Sequence, residues 1–266
     1  MKISEMMDLA GRVALVTGGA GHIGIACCEA LAEQGAAVVV LDCDANSCNQ
    51  LSERLARDYA AKTMPLIIDL KDEVQLCGVS QICVERFGRL DILVNCAAIV
   101  GTSELKGWVV PFPAQATDTW RMALETNLTA AFVLSRECAG LLAVGGHGSI
   151  VNFASTYGMV GPDMSLYEGT SMGNPAAYAA SKGGLLQLTR WLATVLAPDI
   201  RVNAISPGGV LRGQPECFQR RYIARVPLRR MAIEADFKGA VAYLASDLSA
   251  YVTGQNLVVD GGWTAW

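Results

Sequence analysis

Histidine is nearly absent from this chain: among 266 residues there are only His22 and His147. That inventory excludes a metal site built from several imidazoles and a zincin-type helix, so no metal is expected. A Ser-His-Asp hydrolase is disfavoured as well, because no G-x-S-x-G elbow occurs. The nine cysteines, at positions 27, 28, 43, 48, 77, 83, 96, 138 and 217, form an odd set without a C-x-x-C pair. They argue against a disulfide framework or zinc ribbon and read as reduced, mostly buried thiols. No run of 18 apolar residues is present, and the start, Met1 to Asp8, carries two acids and no apolar signal core. The expectation is a cytoplasmic protein that engages no membrane. A net charge of −4 gives no general pull toward nucleic acid, which leaves small molecules as the expected partners.

Apolar residues make up 52% of the chain, enough for one sizeable core, and no charge run or Ser/Pro-rich linker divides it. Residues 1–266 are therefore read as one domain. Short apolar runs at 13–16, 37–41, 65–68, 91–94, 149–153, 200–205 and 256–259 read as strands. Their near-continuous apolarity indicates burial on both faces, as a parallel sheet requires. Segments near 23–34, 45–61, 72–87, 117–142, 177–197 and 234–246 show helical spacing. The alternation predicts an α/β fold, a single Rossmann-type doubly wound domain with about seven parallel strands and helices on both faces. In such sheets ligands bind beyond the carboxyl ends of the strands.

After the first strand comes Thr17-Gly18-Gly19-Ala20-Gly21-His22-Ile23-Gly24, opening directly onto a helix. Gly18, Gly19, Gly21, His22, Ile23 and Gly24 suit a turn that approaches a pyrophosphate at a helix start. Strand two ends in Asp42, 18 residues beyond Gly24 and without a following arginine. A carboxylate there accepts the ribose hydroxyls of NAD(H) and repels the 2′-phosphate of NADP, so NAD(H) is the expected cofactor. The other use of Asp42 would be to cap the next helix, for which Asp44 is better placed. Asp69 and Leu70 close strand three, where the carboxylate meets either the adenine or a helix start. Tyr178 and Lys182, four residues apart in a helical segment, fall on one face, where an ammonium can lower a phenol's pKa toward a usable acid/base.

These motifs in this order resemble the classical short-chain dehydrogenase/reductase family over roughly residues 9–264. Thr17 to Gly24 is similar to its TGxxxGxG, Asn95-Cys96-Ala97-Ala98 to its NNAG, Tyr178 to Lys182 to its YxxxK, and Asn203 to Gly208 to its N-x-x-x-P-G turn. Thr253-Gly254-Gln255 and Asp260-Gly261-Gly262 are similar to its last strand. The resemblance implies a tetrad. Asn127 would hold a relay water, Ser155 would polarise the substrate oxygen, Tyr178 would exchange the proton, and Lys182 would bind the nicotinamide ribose. It also places Asn95, Ala97, Pro207, Gly208 and Val210 at the cofactor, and it implies a homo-oligomer, a tetramer. The long segments 117–142 and 177–197, together with Trp263 and Trp266, offer apolar surface for such contacts.

Three departures stand out. His22 replaces the family's second glycine, so its side chain must turn outward for NAD to bind. Cys96 and Ala98 replace Asn and Gly of NNAG. Ser155 and Tyr178 lie 23 residues apart, which leaves an insertion at 158–175 beside the substrate. With TGGAGHIG and the ending VDGGWTAW, that insertion looks like a subgroup from bacterial sugar and nonulosonic-acid surface-glycan clusters, of the legionaminic acid type.

The activity so implied is NAD-dependent interconversion of a secondary alcohol and a ketone on a sugar, polyol or sugar phosphate. An NADPH-dependent 3-oxoacyl thioester reductase is the alternative that Asp42 opposes. A non-catalytic dinucleotide-binding scaffold is the alternative that the complete tetrad opposes. Substrate recognition is assigned to the insertion, through Tyr167, Glu168 and Asn174, and to a lid at 211–230. That lid holds Arg212, Arg220, Arg221, Arg225, Arg229 and Arg230. Arg221 and Arg225 are the candidates for an anionic group on the substrate, unless these arginines form a solvated helix face or subunit contacts.

Overall fold

The computed structural model describes residues 2–101 and 103–266. Seven strands form one all-parallel sheet in the order β3-β2-β1-β4-β5-β6-β7. They are β1 (Val13–Thr17), β2 (Ala37–Asp42), β3 (Thr63–Ile67), β4 (Ile92–Asn95), β5 (Gly148–Phe153), β6 (Ile200–Pro207) and β7 (Asn256–Val259). The winding direction reverses between β1 and β4, and the crevice at their carboxyl ends is where a ligand fits. β3 is half exposed because it is the edge strand, which is also why Pro65 is tolerated within it.

A short α1 (Ile3–Met7) precedes the sheet. One face of the sheet is covered by α2 (His22–Glu33), α3 (Ala45–Tyr59) and α10 (Lys238–Ala245), around Val16, Leu31, Val40, Leu55, Phe237 and Leu244. The other face carries α5 (Val79–Phe87), α7 (Ala130–Val144) and α8 (Ala176–Val195), around Leu15, Leu93, Leu134, Leu142 and Val202. Both faces of the central strands are thus apolar for one reason: each is buried under helices.

Two helical segments are less regular than their apolar spacing predicts. The segment at 72–87 divides at Gly78 into α4 (Glu73–Cys77) and α5. The segment that begins with α6 (Thr117–Leu124) runs on to Val144 through a π turn, Glu125–Thr129. This Thr117–Val144 helix is long and apolar enough to cross a membrane, but Ala130, Val133, Leu134, Cys138 and Leu142 face the sheet and fill its core. Five cysteines, Cys27, Cys28, Cys48, Cys83 and Cys138, are buried, whereas Cys43 and Cys77 are exposed.

A third packed layer covers the carboxyl end of the sheet. Leu166 of the insertion meets Phe218, Tyr222 and Val226 of α9 (Glu216–Arg225), with Met231 and Trp263. Tyr222 stacks on Trp263 with ring centroids 5.9 Å apart, and Tyr157 meets the same indole edge-on at 5.9 Å.

Candidate active site

A cleft of about 1050 Å³ runs along the carboxyl ends of the strands. At one end it is bounded by the glycine turn. No side chain caps the start of α2, whose N-cap is Gly21. Its first amides therefore point into the cleft without an intrahelical partner, which suits an anion. Two glycines are dictated by contact. Gly18 adopts φ +60°, and a Cβ at Gly24 would come within 2.0 Å of the Gly18 carbonyl oxygen. His22 begins the helix with its side chain 68% exposed, 3.7 Å from Glu234, so it does turn outward and leaves the cradle open.

Asp42 closes β2 on the cleft wall, and its carboxylate accepts from the backbone amides of Ala20 at 3.2 Å and Asp44 at 3.3 Å. Asp44, not Asp42, caps α3, accepting from the amides of Asn46 and Ser47. Asp69 and Leu70 lie on the same wall; Asp69 pairs with Lys71 at 3.2 Å, and the cap of α4 is Asp72. Ala97, Pro207, Gly208 and Val210 line the cleft as expected.

Asn95 does not. It is buried beneath the wall, donating to Asn152 at 2.8 Å, which in turn donates to Thr189 at 2.9 Å. Its position at the last residue of β4 directs the amide into the sheet, so its role is to tie β4 to β5 and α8. Gly19 likewise supports the turn from behind, packed on Val16 and Val40.

The opposite end holds the side chains expected to react. Ser155 follows β5 and caps a 3-10 turn through the amide of Tyr157 at 3.2 Å. Tyr178 lies in the first turn of α8, packed against Trp108, Ala123 and Ala177, with its phenol in the cleft. Lys182 lies one turn on, buried, and donates to the Phe153 carbonyl at 2.6 Å. Its ammonium is 6.0 Å from the Tyr178 ring centroid. Burial pushes Lys182 down to about 8. Burial also raises the Tyr178 phenol, while the Ser155 hydroxyl and, more weakly, the charge of Arg212 pull it back. The expectation that Lys182 lowers the phenol is thus corrected: the ammonium is turned to Phe153, and desolvation dominates.

Asn127 lies in the π turn. Its side chain accepts from the Ile99 amide at 2.7 Å and donates to the Ile99 carbonyl and to Ser181. It locks the β4 loop to α8 and does not line the main cleft.

Comparison with known proteins decides the family. The family described as enoyl-(acyl carrier protein) reductase matches residues 18–264. The chain is 35% identical over 261 residues to cis-4-hydroxycyclohexanecarboxylate dehydrogenase of Sinomonas cyclohexanicum, covering 96% of this chain and 98% of that one. It is 31% identical to a 3-oxoacyl-acyl-carrier-protein reductase of Thermotoga maritima, over 96% and 99% of the two chains. A short-chain type dehydrogenase/reductase from Mycobacterium marinum superposes with a TM-score of 0.87 at 28% identity, over the whole of both chains. This chain is a short-chain dehydrogenase/reductase. A gluconate 5-dehydrogenase from Burkholderia cenocepacia, solved with NADP and tartrate, also superposes over the whole of both chains, with a TM-score of 0.88 at 29% identity.

In this short-chain dehydrogenase/reductase the substrate end departs from the sequence reading. Tyr167 and Asn174 of the insertion line the cleft, but Glu168 does not. Arg221 and Arg225 do not reach it either. Arg221 donates to the carbonyls of Leu166 and Glu168, and Arg225 is ion-paired with Asp163, so both clamp the insertion to α9. Arg230 is spent on Asp236 at 2.6 and 2.7 Å, Arg229 on the Ala224 carbonyl, and Arg220 lies 4.0 Å from Glu216. Of the six lid arginines only Arg212 lines the cleft. Trp263, expected at a subunit contact, is covered by its own chain, because Tyr157 and Tyr222 pack on it. The wall also includes residues the motifs did not reveal, among them Tyr157, Met172, Phe218, Tyr222 and Met231. Phe218 and Tyr222, four apart on α9, carried a helical signal, but nothing local told which way that face points.

Proposed function

We propose that this enzyme is an NAD-dependent dehydrogenase that interconverts a secondary alcohol and a ketone on a polyhydroxylated or ring-shaped substrate. The observation that carries this reading is the meeting of Tyr178, Ser155 and Lys182 in one cleft with the uncapped start of α2 and the carboxylate of Asp42.

The glycine turn, the α2 amides and Asp42 fit a dinucleotide: the first two would hold its diphosphate and Asp42 its adenosine ribose. When bound, the nicotinamide supplies the hydride acceptor, or the donor in reverse. The rest belongs to this chain. Ser155 donates to the substrate oxygen. Tyr178 takes the hydroxyl proton as the carbinol C–H is lost, or returns a proton to the carbonyl oxygen in reduction. Lys182 orients the nicotinamide ribose. The Asn127 side chain is fully bonded, so the relay water that we assign to this residue rests on its main-chain carbonyl. A phenol raised by burial keeps its proton at neutral pH, the state from which the reducing direction starts. Sugars and sugar acids of the surface-glycan type are the narrower expectation for the substrate.

NAD is favoured because Asp42 is followed by Cys43 and Asp44, and a 2′-phosphate beside that carboxylate would be repelled. We also infer a homo-oligomer, a tetramer, located in the cytoplasm. Trp120 and Phe132 on the Thr117–Val144 helix and Trp191 and Val195 on α8 are exposed apolar residues, with Trp191 54% exposed.

Steady-state kinetics test the reading, on a panel of secondary alcohols, sugar acids and a 3-oxoacyl thioester with both cofactors. Oxidation of alcohols with NAD is the expected result. Preferential NADPH-linked reduction of the thioester would instead favour the acyl reductase that the Thermotoga relative represents, and binding of either cofactor without turnover would favour a scaffold.

A further inference from the structure

The charged groups at the substrate end are unevenly distributed. Its walls, built by 96–101, 153–157, 172–174, 207–215 and the facing aromatics, include Lys182 and Arg212 but, among the described residues, no carboxylate. Lys182 is buried at the Phe153 carbonyl and is assigned above to the nicotinamide ribose. Arg212 uses only its Nε, which donates to Glu234 at 3.1 Å, and its backbone amide is held by Gln214. Among the described residues its two terminal amino groups make no hydrogen bond. The guanidinium is therefore braced from behind, with two parallel donors left over, the pattern that takes a carboxylate or phosphate bidentately. Nearby, the buried Oδ1 of Asn174 has no hydrogen-bond partner among the described residues, a second polar atom in the same wall that a ligand hydroxyl would satisfy. The same lining includes the aromatic rings of Tyr157, Tyr167, Phe218 and Tyr222, apolar surface that suits the C–H groups of a ring.

We propose that Arg212 determines substrate specificity: its free amino groups hold an anionic group of the substrate, while Asn174 accepts from a hydroxyl, so the substrates are hydroxy acids or phosphorylated alcohols. This rests on the dehydrogenase reading above. The other lid arginines cannot serve, since none of them lines the cleft.

The test is binding as well as turnover. Cyclohexanecarboxylate, cyclohexyl phosphate and cyclohexanecarboxamide, which lack a reactive hydroxyl, are titrated calorimetrically into the protein saturated with NADH. One or both anions should bind at least 10-fold more tightly than the amide, and the pair tells carboxylate from phosphate. Arg212→Gln should weaken the anion by 10- to 100-fold and leave the amide unchanged, with Arg212→Lys recovering part. Glu234→Gln breaks the same ion pair yet keeps the guanidinium, so it should retain anion binding. Equal binding of amide and anions, or equal losses in Arg212→Gln and Glu234→Gln, would overturn the assignment and leave Arg212 a lid brace. Failure of every alcohol to turn over, with anion binding intact, would remove the dehydrogenase reading and leave the anion site.

Discussion

The ammonium of Lys182 is held against the main-chain carbonyl of Phe153 at 2.6 Å, at the end of the strand that delivers Ser155. A buried cation with one neutral acceptor is a standing cost to the fold, and its value of about 8 records that cost. Below pH 8 both folded and unfolded chains carry the proton and the cost is complete. Between about 8 and the ordinary 10.5 the unfolded chain binds more protons, so this contribution to stability rises with pH. Lys182→Met should therefore stabilise the cofactor-free protein at pH 7. The gain is about 2 kcal/mol, a released cost of about 3 less about 1 for the lost hydrogen bond. Thermal melts of both proteins from pH 7 to 10.5 check this: the difference should shrink as pH rises, while turnover is lost throughout. A difference independent of pH would mean that the ammonium carries no such cost.

Tyr178→Phe removes the exchanged proton and little else, since the ring keeps its packing on Trp108 and Ala123. Turnover should fall on the order of 10²- to 10⁴-fold while NADH affinity changes by less than about 2-fold. Single-turnover kinetics and a fluorescence titration read the two quantities separately.

Asp42→Ala should relax the preference for NAD over NADP, measured as the ratio of kcat/KM for the two cofactors. It should also weaken NAD itself, because the same carboxylate holds the Ala20 amide of the glycine turn. Equal efficiency of the unaltered enzyme with both cofactors would show that Asp42 does not discriminate.

Arg225→Ala unfastens the insertion from α9 by removing the partner of Asp163. Both groups are partly solvated, so global stability should change by less than about 1 kcal/mol. Limited proteolysis should cut within 158–175 sooner, and KM should rise equally for charged and neutral substrates, unlike the selective effect expected at Arg212.

Light scattering at micromolar concentration should give the mass of an oligomer. Trp191→Glu, at an exposed apolar position on α8, should lower that mass without altering the NADH affinity of the remaining protomer. A monomeric unaltered protein would refute the assembly.

The sequence alone determined the layered fold, the glycine turn and the one-turn spacing of Tyr178 and Lys182, because these depend on short-range physics. Near-continuous apolar runs mean strands covered twice; Gly24 is required by a neighbour only six residues away; Tyr178 and Lys182 are joined by one turn of helix. What the tertiary structure decided was direction. Asn95 and Asn127 read as cofactor and relay residues, yet the Asn95 amide nitrogen donates across the sheet to Asn152 and the Asn127 side chain is bonded to the β4 loop. Six lid arginines look alike along the chain. Acceptors 50 or more residues away, Asp163 and the Leu166 and Glu168 carbonyls, tie Arg221 and Arg225 to the insertion, whereas Glu234 leaves two donors of Arg212 facing the cleft. Charge pairing at long sequence separation has no periodicity to betray it, so only the packed insertion shows which arginine is left for a ligand.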